Sequence, residues 1–189
     1  MSQRSRNVVR DGVKHDVAGI LTKAAKALVQ NLDSGLSEIF REKSILIPVP
    51  RSRPILDGGL WPSLRICEEL RKQGVGDRIL PCLERTMAAQ KSAYAGQGGR
   101  LSPIEHLQTL NCKESSMLPL KVVLVDDFVT RGSILLACAA LIQAHFPNAE
   151  VKAFAMVRTR GFVDDIDKLV DPVVGRISNN FGHPQRDHS

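Results

Sequence analysis

Residues 122–135, VVLVDDFVTRGSIL, constrain the fold more than any other part of the chain. The apolar run VVLV is typical of a strand that is buried on both faces of a parallel sheet. Two carboxylates, Asp126 and Asp127, follow the run directly, and a short loop from Thr130 to Ser133 leads into the apolar segment ILLACAALIQAHF. This order predicts a buried strand, a turn and a well-buried helix, which together form part of a parallel α/β unit.

The rest of the chain supplies further elements of both kinds. Apolar spacing predicts helices over 15–30, 33–42, 62–73 and 104–110, and strands over 45–50, 79–83, 150–157 and 170–177. Strands alternating with helices predict an α/β fold, in which a mostly parallel sheet of about five strands carries helices on both faces. We expect an N-terminal helical segment at 1–44, a main domain at 45–178 and a solvated tail at 179–189. The polar excursion at 85–117 is expected to be a functional hood or flap.

Composition narrows the class of ligand. The chain has 189 residues, the size of one domain, and a net charge of +6, whereas only 4% of its residues are aromatic. Few aromatic residues mean few base-stacking platforms, so nucleic acid is possible but not favoured, and phosphate in a small ligand is the first expectation. No apolar run approaches a membrane span, and the start lacks a signal sequence, so we expect a cytoplasmic protein. The cysteine spacing predicts neither structural zinc nor a disulfide framework.

The chemistry expected at residues 126–133 follows from their position. Ligands of open α/β sheets bind at the carboxyl ends of the strands, where Asp126 and Asp127 would lie. The N–H groups that open the next helix suit a phosphate, Gly132 permits close backbone approach, and Thr130 and Ser133 add hydroxyl donors. The two acids would repel that phosphate, so we expect them to bind sugar hydroxyls or a hydrated metal on the same ligand. Paired aspartates also serve as turn or helix-cap devices, which is the simpler structural alternative.

Four apolar residues, two acids, two variable residues and a Thr- and Gly-containing loop resemble the phosphoribosyl pyrophosphate (PRPP) signature of type I phosphoribosyltransferases. The resemblance implies that family's fold, a PRPP substrate, Mg²⁺ as cofactor and a homodimer. It implies that Asp126 and Asp127 hold the ribose 2′ and 3′ hydroxyls and contact the metal indirectly. The loop for the 5′-phosphate would comprise Thr130, Arg131, Gly132 and Ser133, and Phe128 and Val129 belong to the same substrate-binding segment.

A second resemblance concerns ILIPVPRSRP and LERTMAAQKSAYAGQGGR. These segments are similar to the ComF-type subgroup, in which a Pro-Val-Pro turn precedes the pyrophosphate loop and an Arg, Gln, Arg pattern follows, here Arg85, Gln90 and Arg100. The resemblance implies that residues 50–53 hold pyrophosphate. Arg51 and Ser52 would be its contacts, with Arg51 stabilising the leaving group during catalysis. A flap cation, Arg85 or Lys91, would support it.

The chain departs from these patterns at several positions. Arg131 and Ile134 stand where many members have Thr, and Thr130 stands where purine-salvage members place an acid, which disfavours hypoxanthine or guanine as acceptor. ILDGGLWPSL replaces the subgroup's Arg-Gly-Phe-Asn run. Two functions therefore stay open: a phosphoribosyltransferase with an unidentified acceptor, and a non-catalytic sensor of PRPP or a nucleotide that acts on a protein or nucleic-acid partner. A phosphatase-like use of Asp126 as nucleophile is disfavoured, because no DxDx[TV]-like run is present.

Overall fold

The computed structural model describes residues 7–10, 13–30, 36–40, 43–55, 59–89, 101–159, 173–180 and 183–188. Its helices are α1 (Val17–Gln30), α2 (Pro62–Lys72), α3 (Pro103–Leu107) and α4 (Ser133–His145), with a 3-10 turn at Leu36–Glu38. Its strands are β1 (Asn7–Arg10), β2 (Val13–Asp16), β3 (Ile45–Pro48), β4 (Arg78–Ile79), β5 (Leu83–Arg85), β6 (Leu110–Cys112), β7 (Lys121–Val129), β8 (Glu150–Arg158), β9 (Gly175–Asn180) and β10 (His183–His188).

The central sheet has four parallel strands among the described residues, in the order β4-β3-β7-β8. Residues 45–48 of β3 align with residues 122–125 of β7, and β8 pairs with β7 along its whole length. The predicted α/β class with a central parallel sheet is confirmed, with four strands in place of about five. Because β7 lies in the middle, its carboxyl end opens between β3 and β8.

Each side chain of the apolar run goes to one of two cores, because neighbouring residues of a strand face opposite sides of the sheet. Val122 and Leu124 belong to the core under α4, and Val123 and Val125 belong to the core under α1 and α2. All four are essentially inaccessible to solvent. Helices therefore cover both faces, as predicted.

The strand expected over 79–83 is divided between two sheets. β4 extends the central sheet beside β3, whereas β5 pairs antiparallel with β6 in a separate two-stranded ribbon. Pro81 lies between them and has no N–H for a ladder bond, which explains the break. The ribbon and α3 are the described parts of the expected hood, and residues 90–100 lie outside the described residues.

Both ends of the described chain differ from expectation. The segment expected to be a solvated tail contains β10, which pairs with β9 in an antiparallel hairpin, so that Ile177 lies opposite Arg186. A second hairpin, β1–β2, precedes α1 in the segment expected to be helical. The expected helix over 33–42 is described only at residues 36–40, where it is a 3-10 turn. No helix in the described part of the chain is long and apolar enough to cross a membrane.

Candidate functional site

Asp126 and Asp127 lie inside β7, because pairing with β8 carries that strand on to Val129. Asp126 is 7% exposed, and one of its carboxyl oxygens accepts hydrogen bonds from the Asp127 N–H at 2.9 Å and the Ser63 hydroxyl at 3.3 Å. Asp127 is half-buried. Burial raises the pKa of Asp126 to about 7, and the neighbouring charge of Asp127 adds to that rise. The pair is therefore a buried carboxyl group beside a more accessible one.

The loop after β7 opens α4 through a glycine in the left-handed region. Gly132 has φ +88° and caps the helix, and a Cβ built there would lie 2.8 Å from Ile177 Cδ1 on β9. No side chain of the described residues caps α4, so its first N–H groups keep their capacity to donate. Ser133 is buried, Thr130 is half-buried and Arg131 is exposed. This arrangement can bind an anion.

The turn after β3 lies beside the acids. The Val49 N–H donates to the Val125 carbonyl at 2.9 Å, which places the start of this turn next to Asp126. The Trp61 indole N–H donates to the Val49 carbonyl at 2.8 Å, and Arg51 Nη1 donates to the Leu60 carbonyl at 2.8 Å. The start of α2 therefore holds the turn at the carboxyl edge of the sheet.

Arg85 lies in a setting different from that of a flap cation. Its side chain is 6% exposed, and its guanidinium contacts the Arg51 carbonyl, the Thr109 hydroxyl and His106 Nδ1. Burial, then the charge of Arg85, lowers the pKa of His106 to about 4, so the ring is neutral at pH 7 and can accept at Nδ1.

The remaining predicted residues have varied settings. Phe128 is 48% exposed, Val129 packs against the core, and Ser52 is exposed with its carbonyl accepting the Ala89 N–H at 2.8 Å. Lys91, with Gln90 and Arg100, lies outside the described residues.

The structure adds residues that the sequence did not single out for a role in the site: Ser63, His106, Thr109 and Ile177. Of these, Ser63 has the clearest sequence signal, because Trp61-Pro62-Ser63 is a recognisable helix start. That signal indicates a helix and says nothing about contact with a carboxylate 63 residues further along the chain.

Two adjacent carboxylates fit a hydrated Mg²⁺ that takes its other ligands from water and from a phosphorylated substrate. Among the residues that the structure describes, no group of three or more His, Cys, Asp or Glu side chains could hold a metal by itself. The carboxylate oxygens of Asp126 and Asp127 thus suit a metal ion that binds together with a phosphorylated ligand.

Fold and site together define an α/β protein with a carboxylate pair and a glycine-capped helix start at the carboxyl edge of a parallel sheet. No family model and no curated protein sequence matches the chain. Among the solved structures that match is one described as an analysis of an invariant aspartic acid in HPRTs, an alanine mutant. It covers 82% of this chain and 82% of its own, at a TM-score of 0.39 and 13% identity. At that similarity the likeness assigns no role to any residue of this chain.

Proposed function

We propose that this chain binds PRPP and transfers its 5-phosphoribosyl group to an acceptor, with release of pyrophosphate. One observation carries the proposal: the buried Asp126 and the more accessible Asp127 lie near the end of β7, five to six residues before Gly132, which caps α4 at the carboxyl edge of the sheet. A ribose 5-phosphate needs acceptors for its hydroxyls and donors for its phosphate, and this segment offers both kinds.

In the proposed complex Asp126 and Asp127 accept hydrogen bonds from the ribose hydroxyls. The N–H groups at Gly132 and Ser133, with the hydroxyls of Thr130 and Ser133, donate to the 5′-phosphate. Pyrophosphate would lie at the turn of residues 50–53, which the Val49 N–H holds beside β7. Phe128, whose side chain is half exposed at the same edge, would contact the ligand between these two regions.

Loss of pyrophosphate leaves positive charge at C1 of the ribose, so the reaction depends on positioning and on stabilisation of the leaving group. Arg51 is the candidate cation for that group. Mg²⁺, when bound with the substrate, would neutralise phosphate charge. Thr130 offers a neutral hydroxyl where purine-salvage relatives have an acid, so we propose an acceptor other than hypoxanthine or guanine.

A second function, PRPP or nucleotide sensing without turnover, is favoured by one observation. Both described candidates for a cation that stabilises the leaving group already form hydrogen bonds within the protein. Arg51 donates to the Leu60 carbonyl, and Arg85 contacts three neutral acceptors. A pocket that binds PRPP or a nucleotide without stabilising departing pyrophosphate would not catalyse transfer. Its occupancy would instead control a protein or nucleic-acid partner.

The two functions differ in pyrophosphate release. We expect wild-type protein with PRPP and Mg²⁺ to release pyrophosphate when the correct nucleobase, amine or macromolecular acceptor is supplied. We expect Asp126→Asn/Asp127→Asn to release it at least about 100-fold more slowly, because each lost hydrogen bond to a charged group costs about 1.5–3 kcal/mol. Asp77→Asn, at an exposed carboxylate remote in sequence from the loop, is the matched control. Tight PRPP binding with no release across the acceptor panel would favour the sensor.

The resemblance also implies a homodimer, and we retain this as part of the proposal. Light scattering coupled to gel filtration would give the mass in solution, for which a dimer predicts twice 20.8 kDa.

A further inference from the structure

Arg85 is a buried cation beneath the Arg51 turn. Each of its three guanidinium nitrogens has a protein partner: Nε donates to the Arg51 carbonyl at 3.0 Å, Nη1 to the Thr109 hydroxyl, and Nη2 lies 3.4 Å from His106 Nδ1. A side chain that is 6% exposed and engaged in this way has little capacity to reach a ligand in the pocket.

We propose that Arg85 is a positioning residue, which acts on the ligand through the peptide between Arg51 and Ser52 and not by touching it. In a planar trans peptide the C=O and the N–H point in opposite directions. Because Arg85 binds the Arg51 carbonyl from the protein interior, the N–H of Ser52 is directed away from that interior, where a phosphate oxygen can accept it. This inference rests on the proposed function for its ligand.

The charge of Arg85 contributes as well as its hydrogen bonds. Its three partners are neutral, and no carboxylate of the described residues forms an ion pair with it. A buried charge without a counter-charge is costly, and burial lowers the pKa of Arg85, although a guanidinium stays protonated. An anion bound at the turn above would relieve that cost, so the turn is electropositive before any ligand arrives.

The same network ties the turn to the expected hood. The Thr109 hydroxyl, which accepts from Arg85, donates to the His106 carbonyl at 3.0 Å, and the Thr86 N–H donates to the Thr109 carbonyl at 3.0 Å. Thr109 joins α3 to β6, and Arg85 ends β5. One guanidinium group therefore connects the end of α3, the β5–β6 ribbon and the Arg51 turn.

Lysine cannot replace this group, because a single ammonium does not present the planar fork that reaches three separated acceptors. The test compares Arg85→Lys with Arg78→Lys, an exposed arginine on β4 whose ion pair with Asp77 is also exposed. Thr109→Val, which keeps the side-chain shape and removes one partner, is a milder second variant. The first measurement, by NMR on the ligand-free protein, is exchange of the Ala89 amide, which donates to Ser52.

We expect Arg85→Lys to speed Ala89 exchange at least tenfold while the β7 amides keep their protection, and to weaken binding of PRPP with Mg²⁺ at least tenfold. Thr109→Val should shift both quantities in the same direction by a smaller factor, and Arg78→Lys should shift neither. Weakened binding with unchanged Ala89 exchange, or with unchanged affinity in Thr109→Val, would mean that Arg85 contacts the ligand directly and would overturn the inference. Unchanged Ala89 exchange together with unchanged PRPP affinity in Arg85→Lys would also overturn the inference.

The exchange measurement needs no ligand, so it separates this inference from the proposed function. If wild-type protein fails to bind PRPP, the proposed function fails. Faster Ala89 exchange in Arg85→Lys would still establish Arg85 as the anchor of the turn, and unchanged exchange would refute that as well.

Discussion

Asp126 is the most strongly perturbed carboxyl group of the candidate site, because burial and the neighbouring carboxylate of Asp127 both raise its pKa. Its pKa of about 7 lies above that of a free aspartate, so the folded state binds more protons than the unfolded state between roughly pH 4 and pH 7. Asp126 therefore lowers the free energy of unfolding as pH rises through that window. The ionised form of Asp126 accepts a hydrogen bond from a ribose hydroxyl more strongly than the protonated form does. We therefore expect PRPP affinity to increase as pH rises through about 7.

Two substitutions should move the pKa of Asp126 in opposite directions. Asp127→Asn removes the neighbouring charge and should lower it, whereas Ser63→Ala removes a hydrogen bond to the carboxylate and should raise it further. Carboxyl ¹³C chemical shifts followed against pH in ligand-free protein measure both. A wild-type pKa near 4, or equal shifts of one sign in the two variants, would refute this description of the pair.

The four cysteines are free and buried, and burial raises the pKa of the thiol at each, to about 12 for Cys82. Thiolate is the reactive form, so native protein should label with a disulfide reagent at pH 8 only as fast as it opens or unfolds. Addition of urea below the unfolding midpoint should accelerate labelling. Rapid labelling of any one thiol in native buffer would contradict the described packing around that cysteine.

Among the elements, the β9–β10 hairpin packs against the loop between β7 and α4. Ile177 of β9 packs where a Cβ on Gly132 would lie, and Arg186 of β10 donates to the Thr159 carbonyl at 3.0 Å beyond β8. The hairpin therefore packs at the end of the sheet where the loop between β7 and α4 lies.

Gly132→Ala should cost more stability than Gly74→Ala, and the difference should measure the contact with Ile177. Both glycines have positive φ, +88° and +81°, so both variants incur the strain of a left-handed alanine, about 1–2 kcal/mol. A Cβ at Gly74 meets nothing within 4 Å, whereas one at Gly132 meets Ile177 at 2.8 Å. We expect a further loss of about 1–3 kcal/mol at Gly132 in urea unfolding.

Ile177→Ala in the Gly132→Ala background makes room for the added methyl group. We expect the two changes together to destabilise less than the sum of each alone. Equal costs for Gly132→Ala and Gly74→Ala, or strictly additive effects, would show that the hairpin does not seat against this loop.

The elements also show what a sequence can and cannot predict. VVLV predicted a strand buried on both faces because four apolar residues in a row have no solvent face, and α4 followed for the same reason. Strand β10 was missed because HPQRDH contains proline and no apolar alternation, so only its pairing with β9 defines it. The burial of Arg85 and its contact with Thr109 also arise from tertiary packing, and composition favours an exposed arginine.

For the whole molecule, the sheet brings three segments that are distant in sequence together at one edge: the turn after β3, the start of α2, and the end of β7 with the loop that follows it. Trp61, the single tryptophan of the chain, lies at this junction with its indole bonded to Val49. Its fluorescence therefore reports on the site without a label. We expect pyrophosphate or PRPP to change that emission in wild-type protein and in Asp77→Asn.

The most direct measurement is isothermal titration of PRPP with Mg²⁺ into wild-type protein, into Asp126→Asn/Asp127→Asn and into Asp77→Asn, with ribose 5-phosphate, AMP and GMP as comparison ligands. We expect wild type and Asp77→Asn to bind PRPP alike, and the double substitution to remove binding while the protein stays folded. Absence of PRPP binding to wild type, or unchanged affinity in the double variant, would contradict the claim that this carboxylate pair and loop form a phosphoribosyl site.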